Sequence, residues 1–209
     1  YSLLGGIRSS AQMISYELSL GLSIIAVVML NNSLKLDEIV KAQGGYYLFG
    51  VLPNWNVFVQ PIGFVTFVVA MFAETNRLPF DLPEAEPELV AGYHTEYTGM
   101  KFGMFMLSEY LAMFAAASMI SSLYLGGWQA PYAEYLGLSP LALSLVQVGA
   151  FLTKFVLIVV FFMIIRWSMP RFRYDQLMNL GWKVMLPLSL LNIALTGFFI
   201  LKPLHTWFQ

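Results

Sequence analysis

LALSLVQVGAFLTKFVLIVVFFMII, residues Leu141–Ile165, carries a single charged side chain, Lys154. As an α-helix rising about 1.5 Å per residue, this run is long enough to cross the ~30 Å of hydrocarbon in a lipid bilayer. Working outward, four further apolar blocks of similar kind occupy Ser10–Leu30, Trp55–Ala73, Phe102–Tyr124 and Val184–Leu201, with cations and prolines gathered between them. The chain of 209 residues is 58% hydrophobic and 11% charged, against roughly a quarter charged in an ordinary soluble domain. The expectation is an all-α polytopic membrane bundle, one membrane domain over residues 1–209 with five transmembrane helices.

Composition also removes several classes of function. The net charge is −1, so no electrostatic footprint for nucleic acid is present. Cysteine is absent, which rules out disulfides, thiolate nucleophiles and cysteine-ligated metal clusters. The opening YSLLGGIRSS at Tyr1 is neither a signal peptide nor a transit peptide. It reads as a fragment that begins in a loop.

Lysine and arginine are enriched in cytoplasmic loops, so alternate connections can be compared. The N-terminal arm, the 74–101 loop and the 166–183 loop hold Arg8, Arg77, Lys101, Arg166, Arg171, Arg173 and Lys183; the other side holds Lys35, Lys41 and Lys202. Seven cations against three place the arm and the two large loops on the cytoplasmic side.

The most informative polar stretch is AETNRLPFDLPEAEPELVAGYHTEYTGMKF, residues 73–102. Proline recurs at Pro79, Pro83 and Pro87, and a residue without an N–H that clashes with the preceding turn forbids a continuous helix. In an extended backbone alternate residues share a side, so Glu84, Glu86 and Glu88 can project together, flanked by Glu74, Asp81 and Glu96. Crowded carboxylates raise one another's proton affinity, and burial raises it further. A solvated acidic loop is the plainer reading of the charges alone. His94 is a lone histidine among carboxylates and does not make a transition-metal site.

Three ionisable residues fall inside apolar blocks: Glu17, Glu109 and Lys154. Each costs about 2.5–3.5 kcal/mol at mid-span on insertion scales, so a functional or pairing role is expected. Glu109 follows Lys101 and Glu17 follows Arg8 by similar spacings, which puts both acids roughly 10–14 Å in from the same face. Lys154, about 18 Å before Arg166 along a helix, is a counter-ion or a proton carrier. Structural ion pairs between helices are the alternative for all three. A second polar cluster, RWSMPRFRYDQLM, holds Arg166, Arg171, Arg173 and Asp175, which fix topology or bind acidic loops. No phosphate-cradling glycine loop, nucleophile elbow or compact oxygen-ligand set is visible.

LLGGIRSSAQMISYELSL (3–20), AETNRLPFDLPEAEPELVAGYHTEYTGMKFGMFMLSEY (73–110) and RFRYDQLMNLGWKVMLPLSLLN (171–192) closely resemble the H-type, or subunit-one, membrane component of NADH:quinone oxidoreductase, respiratory complex I. The resemblance covers essentially the whole chain. It implies the last five helices of an eight-helix subunit that walls the quinone chamber and starts a charged path toward antiporter-like subunits. Carried over by motif, Glu17 (ISYE), Glu74 (AETNR) and Glu109 (SEY) resemble members of that path, with Lys154 a further candidate from its place in the span. Arg77, Asp81, Glu84, Glu86, Glu88 and Glu96 resemble the loop lining the chamber, and Arg166, Arg171, Arg173 and Asp175 the second loop at that junction.

The resemblance further implies ubiquinone or menaquinone as substrate, with iron–sulfur clusters and FMN confined to partner subunits and no catalytic or metal-binding residue in this chain. The implied partners are the two peripheral quinone-site subunits, adjacent small membrane subunits and lipid. DLPEAEPEL is of bacterial type, implying a bacterial plasma membrane. Rival readings are the corresponding component of a membrane-bound hydrogenase, a stand-alone cation transporter, and a structural anchor for a hydrophilic arm.

Overall fold

The computed structural model describes residues 2–44, 47–48, 52–81, 97–131 and 139–201. Four helices are long and apolar enough to cross a membrane among these residues: α1 (Ser2–Asn31), α5 (Met100–Tyr124), α6 (Pro140–Ser168) and α7 (Tyr174–Leu201). Shorter helices are α2 (Leu36–Ala42), α3 (Asn56–Val59) and α4 (Pro61–Glu74), and a two-residue hairpin pairs Tyr47–Leu48 with Leu52–Pro53. The class is all-α, but the expected count of five full spans is corrected to four.

The difference lies in the block Trp55–Ala73, which breaks at Gln60. Pro61 has no N–H to donate and restricts the residue before it; Gln60 accordingly leaves the helical region at φ −128°, ψ 66°. The remaining α4 has 14 residues, about 21 Å of rise, short of a bilayer. Two expected loops are also shorter than the sequence suggests. Helix α1 begins at Ser2, and α6 runs to Ser168, so only the proline-containing segment around Pro170 separates it from α7 at Tyr174.

Helix α1 packs on α4 and α7, α4 packs on α7, and α5 packs on α6. Close approach depends on small residues at the seams: a β-carbon at Gly63 would stand 2.7 Å from Asn192 Nδ2, and one at Gly181 3.4 Å from Ser15 Cβ. In lipid, where apolar surface gives no net drive between helices, such contacts are what hold them together. The apolar core centres on Phe67, Tyr124, Ala117 and Ile120, and Phe72 stacks on Phe162 at 3.9 Å between centroids.

Helix α7 contains a π-helical turn, Leu180–Met185. Pro187 follows two residues after its end and cannot donate to Lys183 O, so the widened turn lies where the ordinary ladder is interrupted. At the end away from the 74–81 segment, Gln43 ties the elements together. Its Oε1 accepts from the N–H groups of Asn56 (3.2 Å) and Gly126 (3.0 Å), and its Nε2 donates to Ser122 O at 3.1 Å.

Candidate functional site: a carboxylate and arginine cluster

The site forms where α4 ends. Thr75 closes the helix, its Oγ1 donating to Phe72 O at 3.1 Å, and Asn76 turns the chain at φ +48°, a conformation asparagine tolerates better than most residues. Phe80 N–H then returns to Arg77 O at 2.8 Å, around a cis Leu78–Pro79 peptide. The helix thus ends before Pro79, which sits in a closed turn, while Pro83 and Pro87 lie outside the described residues.

Gln12 of α1 holds this turn from below. Its buried Nε2 lies 2.9 Å from Ala73 O, 2.9 Å from Phe80 O and 3.3 Å from Asn76 Oδ1. The Phe80 ring lies edge-on to Tyr16 at 5.7 Å and tilted against Phe172 at 5.5 Å. Phe172 N–H donates to Pro79 O at 3.2 Å, and Tyr16 donates to Leu177 O at 2.9 Å. The turn after α4 and the α6–α7 connection are therefore one packed unit.

That unit carries alternating charge. Arg77, only 8% exposed, places Nη2 4.0 Å from Glu109 Oε2, and its guanidinium lies 4.2 Å from the Tyr110 ring centroid. The pair is too long for a strong hydrogen bond, and the stacked, planar cation suits a guanidinium rather than an ammonium. Asp81, also 8% exposed, pairs with Arg171 at 3.4 Å. Glu74, half-buried, ends α4, the helix that packs against α1 and its Glu17. Glu17 itself lies on the exposed side of α1, and Arg8 stands 5.8 Å over the Tyr174 ring.

The structure thus brings Glu17, Glu74, Arg77, Asp81, Glu109 and Arg171 to one end of the bundle. Arg166 lies exposed in the last turn of α6, where a cation complements the helix dipole. Arg173 and Asp175 approach each other at 3.8 Å with both side chains solvent-exposed. Glu84, Glu86, Glu88, Glu96 and His94 lie outside the described residues.

Lys154 is elsewhere. Its Nζ donates to Gly127 O (3.0 Å) and Gln129 O (2.7 Å) and sits 4.5 Å over Trp55, so it caps the opposite end of the bundle. Among the described residues no three His, Asp or Glu side chains gather as a metal site would require. Sequence reasoning missed Gln12, Asn76 and Tyr110. The available signal was on α1: Gln12, Ser15, Ser19 and Ser23 recur at helical spacing in an apolar helix and are all buried.

A family profile described as NADH dehydrogenase matches residues 1–197. The chain is 50% identical over 201 residues to an H subunit of NADH-quinone oxidoreductase from Cytophaga hutchinsonii, the copy numbered 1, covering 96% of this chain and 57% of that protein. It is 50% identical over 202 residues to NADH-quinone oxidoreductase subunit 8 of Rhodothermus marinus, covering 93% of this chain and 58% of that one. To the NADH-quinone oxidoreductase H subunit of Flavobacterium johnsoniae it is 44% identical over 204 residues, covering 97% and 56%. The chain therefore spans a little over half the length of the curated relatives it matches.

Proposed function

The chain belongs to the NADH dehydrogenase family, and on that premise we propose that it is the H-type membrane subunit of a proton-pumping NADH:quinone oxidoreductase. It forms part of the wall of the quinone chamber and couples quinone reduction to proton movement. The observation that carries the reading is the pairing of two buried charges beyond the end of α4, Arg77 with Glu109 and Asp81 with Arg171, with the carboxylates Glu74 and Glu17 at the same end of the bundle. A chain of acids interleaved with arginines can rearrange its pairing when a nearby charge changes.

Electrons are supplied by FMN and iron–sulfur clusters of partner subunits, and the substrate is ubiquinone or menaquinone entering from the membrane. Reduction leaves the quinone in need of protons and alters the field at the 74–81 turn. Among the described residues Arg77 meets one carboxylate at a long distance and one ring. It shifts between Glu109 and the chamber, and Glu109 takes up or releases a proton as its partner moves. About 1.4 kcal/mol of field changes a carboxyl's proton affinity tenfold, so modest displacements suffice. Glu74 and Glu17 then carry the change along the α1–α4 contact toward neighbouring membrane subunits.

Asp81 and Arg171 fix the two loops that face the peripheral quinone-site subunits, with Glu84, Glu86, Glu88, Glu96, Arg166, Arg173 and Asp175 completing that junction. The large loops are cytoplasmic on the lysine and arginine count, and the bacterial relatives favour a bacterial plasma membrane. Replacing Arg77 with Ala in the assembled complex is expected to lower quinone reductase activity by roughly tenfold or more, equivalent to about 1.4 kcal/mol of barrier. Unchanged turnover and unchanged apparent affinity for quinone would remove this reading.

A further inference from the structure

The described buried polar groups are not confined to the charged end. A column of them follows the seam shared by α1, α4 and α7 through the bundle. It starts at Gln12 and continues along one face of α1 through Ser19 and Ser23, both fully buried. Eleven residues of helix separate Gln12 from Ser23, about 16 Å of rise.

At the Ser23 level Tyr124 donates to Ser23 O at 3.4 Å, and the Asn192 amide and the Tyr124 hydroxyl both face Gly63. One turn further, Gln60 Nε2 donates to Ala26 O at 3.0 Å and to Thr196 Oγ1 at 3.1 Å. The break before Pro61 is what turns Gln60 inward. The column therefore reaches most of the way from the charged cluster toward the Gln43 end of the molecule.

Small polar residues at a helix seam serve close packing, and on that ground alone the column would be structural. A second observation points to a ligand. Gln12 Oε1, Ser19 Oγ, Gln60 Oε1 and Asn192 Nδ2 are buried with no hydrogen-bond partner among the described residues. These residues are at most 4% exposed. An unmet buried donor or acceptor costs about 1–3 kcal/mol, and four along one seam would be an unusual accumulation. Water relieves it where each molecule finds two to four polar partners. At Asn192 those partners are the amide, the Tyr124 hydroxyl and Ser23 O. At Gln60 they are the amide oxygen and Thr196.

We propose that this seam binds a file of water molecules linking the Gln60–Asn192 level to Gln12, and so gives protons a route to Glu74 that does not use the exposed carboxylate Glu17. Protons move along such a file by successive hops between hydrogen-bonded waters, with no net change in any side chain. Gln12 delivers the file to the turn, because its amide contacts Ala73 O and Asn76 on either side of Glu74. The inference rests on the proton-coupling role proposed above, and the experiment separates the two.

Two measurements on the whole complex test it. Pulsed hydroxyl-radical labelling detects internal water directly. Tyr124, fully buried here, is expected to label in the wild-type complex within the pulse, and absence of labelling there overturns the water file whatever the activity. Asn192→Leu should suppress Tyr124 labelling and lower proton translocation in proteoliposomes severalfold, while Asn192→Ser, which puts a hydroxyl in place of the amide, retains both. Wild-type translocation in an assembled Asn192→Leu complex that has lost its labelling overturns the conducting role. If Glu109→Gln proves silent while Asn192→Leu does not, the carboxylate reading falls and the seam stands.

Discussion

Arg77 shows how much a single buried cation decides. Among the described residues its charge meets the Glu109 carboxylate at 4.0 Å and the Tyr110 ring, and removing it leaves Glu109 without that neighbour. Breaking a buried pair from one side costs about 3–5 kcal/mol in proteins generally. Arg77→Ala is thus expected to lower the thermal midpoint of the purified complex measurably. Arg77→Lys should lose only the ring contact and planar geometry, about 1–2 kcal/mol, and a lysine variant as unstable as the alanine variant would deny the ring any part.

Glu38 illustrates the opposite, solvent-exposed case. Hydrogen bonds from Ser33 and Lys35 hold its carboxyl below the ordinary carboxylate range. A depressed folded-state pKa contributes stability above the unfolded value of 4.5, which is lost as pH falls through the lower folded value. The protection of the Leu36–Ala42 amides against hydrogen exchange, relative to the unfolded chain at the same pH, should therefore fall on acidification below about pH 4.5, and Glu38→Gln should abolish that dependence while leaving the protection of α5 unchanged.

At the scale of elements, the breaks carry as much information as the helices. Pro61 ends one helix and begins another, turning Gln60 into the seam, and Pro187 follows the π-helical turn beside Ser15 and Trp182. After α5 the chain reverses through Gly126 at φ +72°, where a β-carbon would stand 2.7 Å from the Trp55 ring. Gly126→Ala should then destabilise the end closed by Gln43 and Lys154 on two counts, strain of about 1–2 kcal/mol and displacement of the indole under Lys154. Faster exchange or proteolysis of the 126–131 turn is the readout.

Apolar runs made the helices legible in the sequence because hydrocarbon thickness sets their length. The break at Gln60 was hidden because the run Trp55–Ala73 is apolar on both sides of Pro61, so hydropathy continues where backbone hydrogen bonding does not. The acids Glu17, Glu74 and Glu109 stood out as charges near or within apolar spans. Gln12 and Asn192 did not, since a neutral amide in a long helix leaves little mark on composition, and their importance appears only when burial and partners are known.

For the whole molecule, the arrangement is polarised. One end holds Glu17, Glu74, Arg77, Asp81, Glu109 and Arg171; the other is closed by Gln43, the Gly126–Gly127 turn and Lys154; a buried polar seam lies between. Large parts of α5 and α6 face outward with exposed apolar side chains, as expected of helices that meet lipid or further membrane helices. That polarity suits a membrane protein receiving a charge change at one end and passing it sideways and inward. The most direct measurement is proton translocation per electron in proteoliposomes of the complex carrying Glu109→Gln and, separately, Glu74→Gln. The account predicts that both variants assemble but turn over slowly and pump fewer protons for each quinone reduced; wild-type rate and wild-type stoichiometry in both would contradict it.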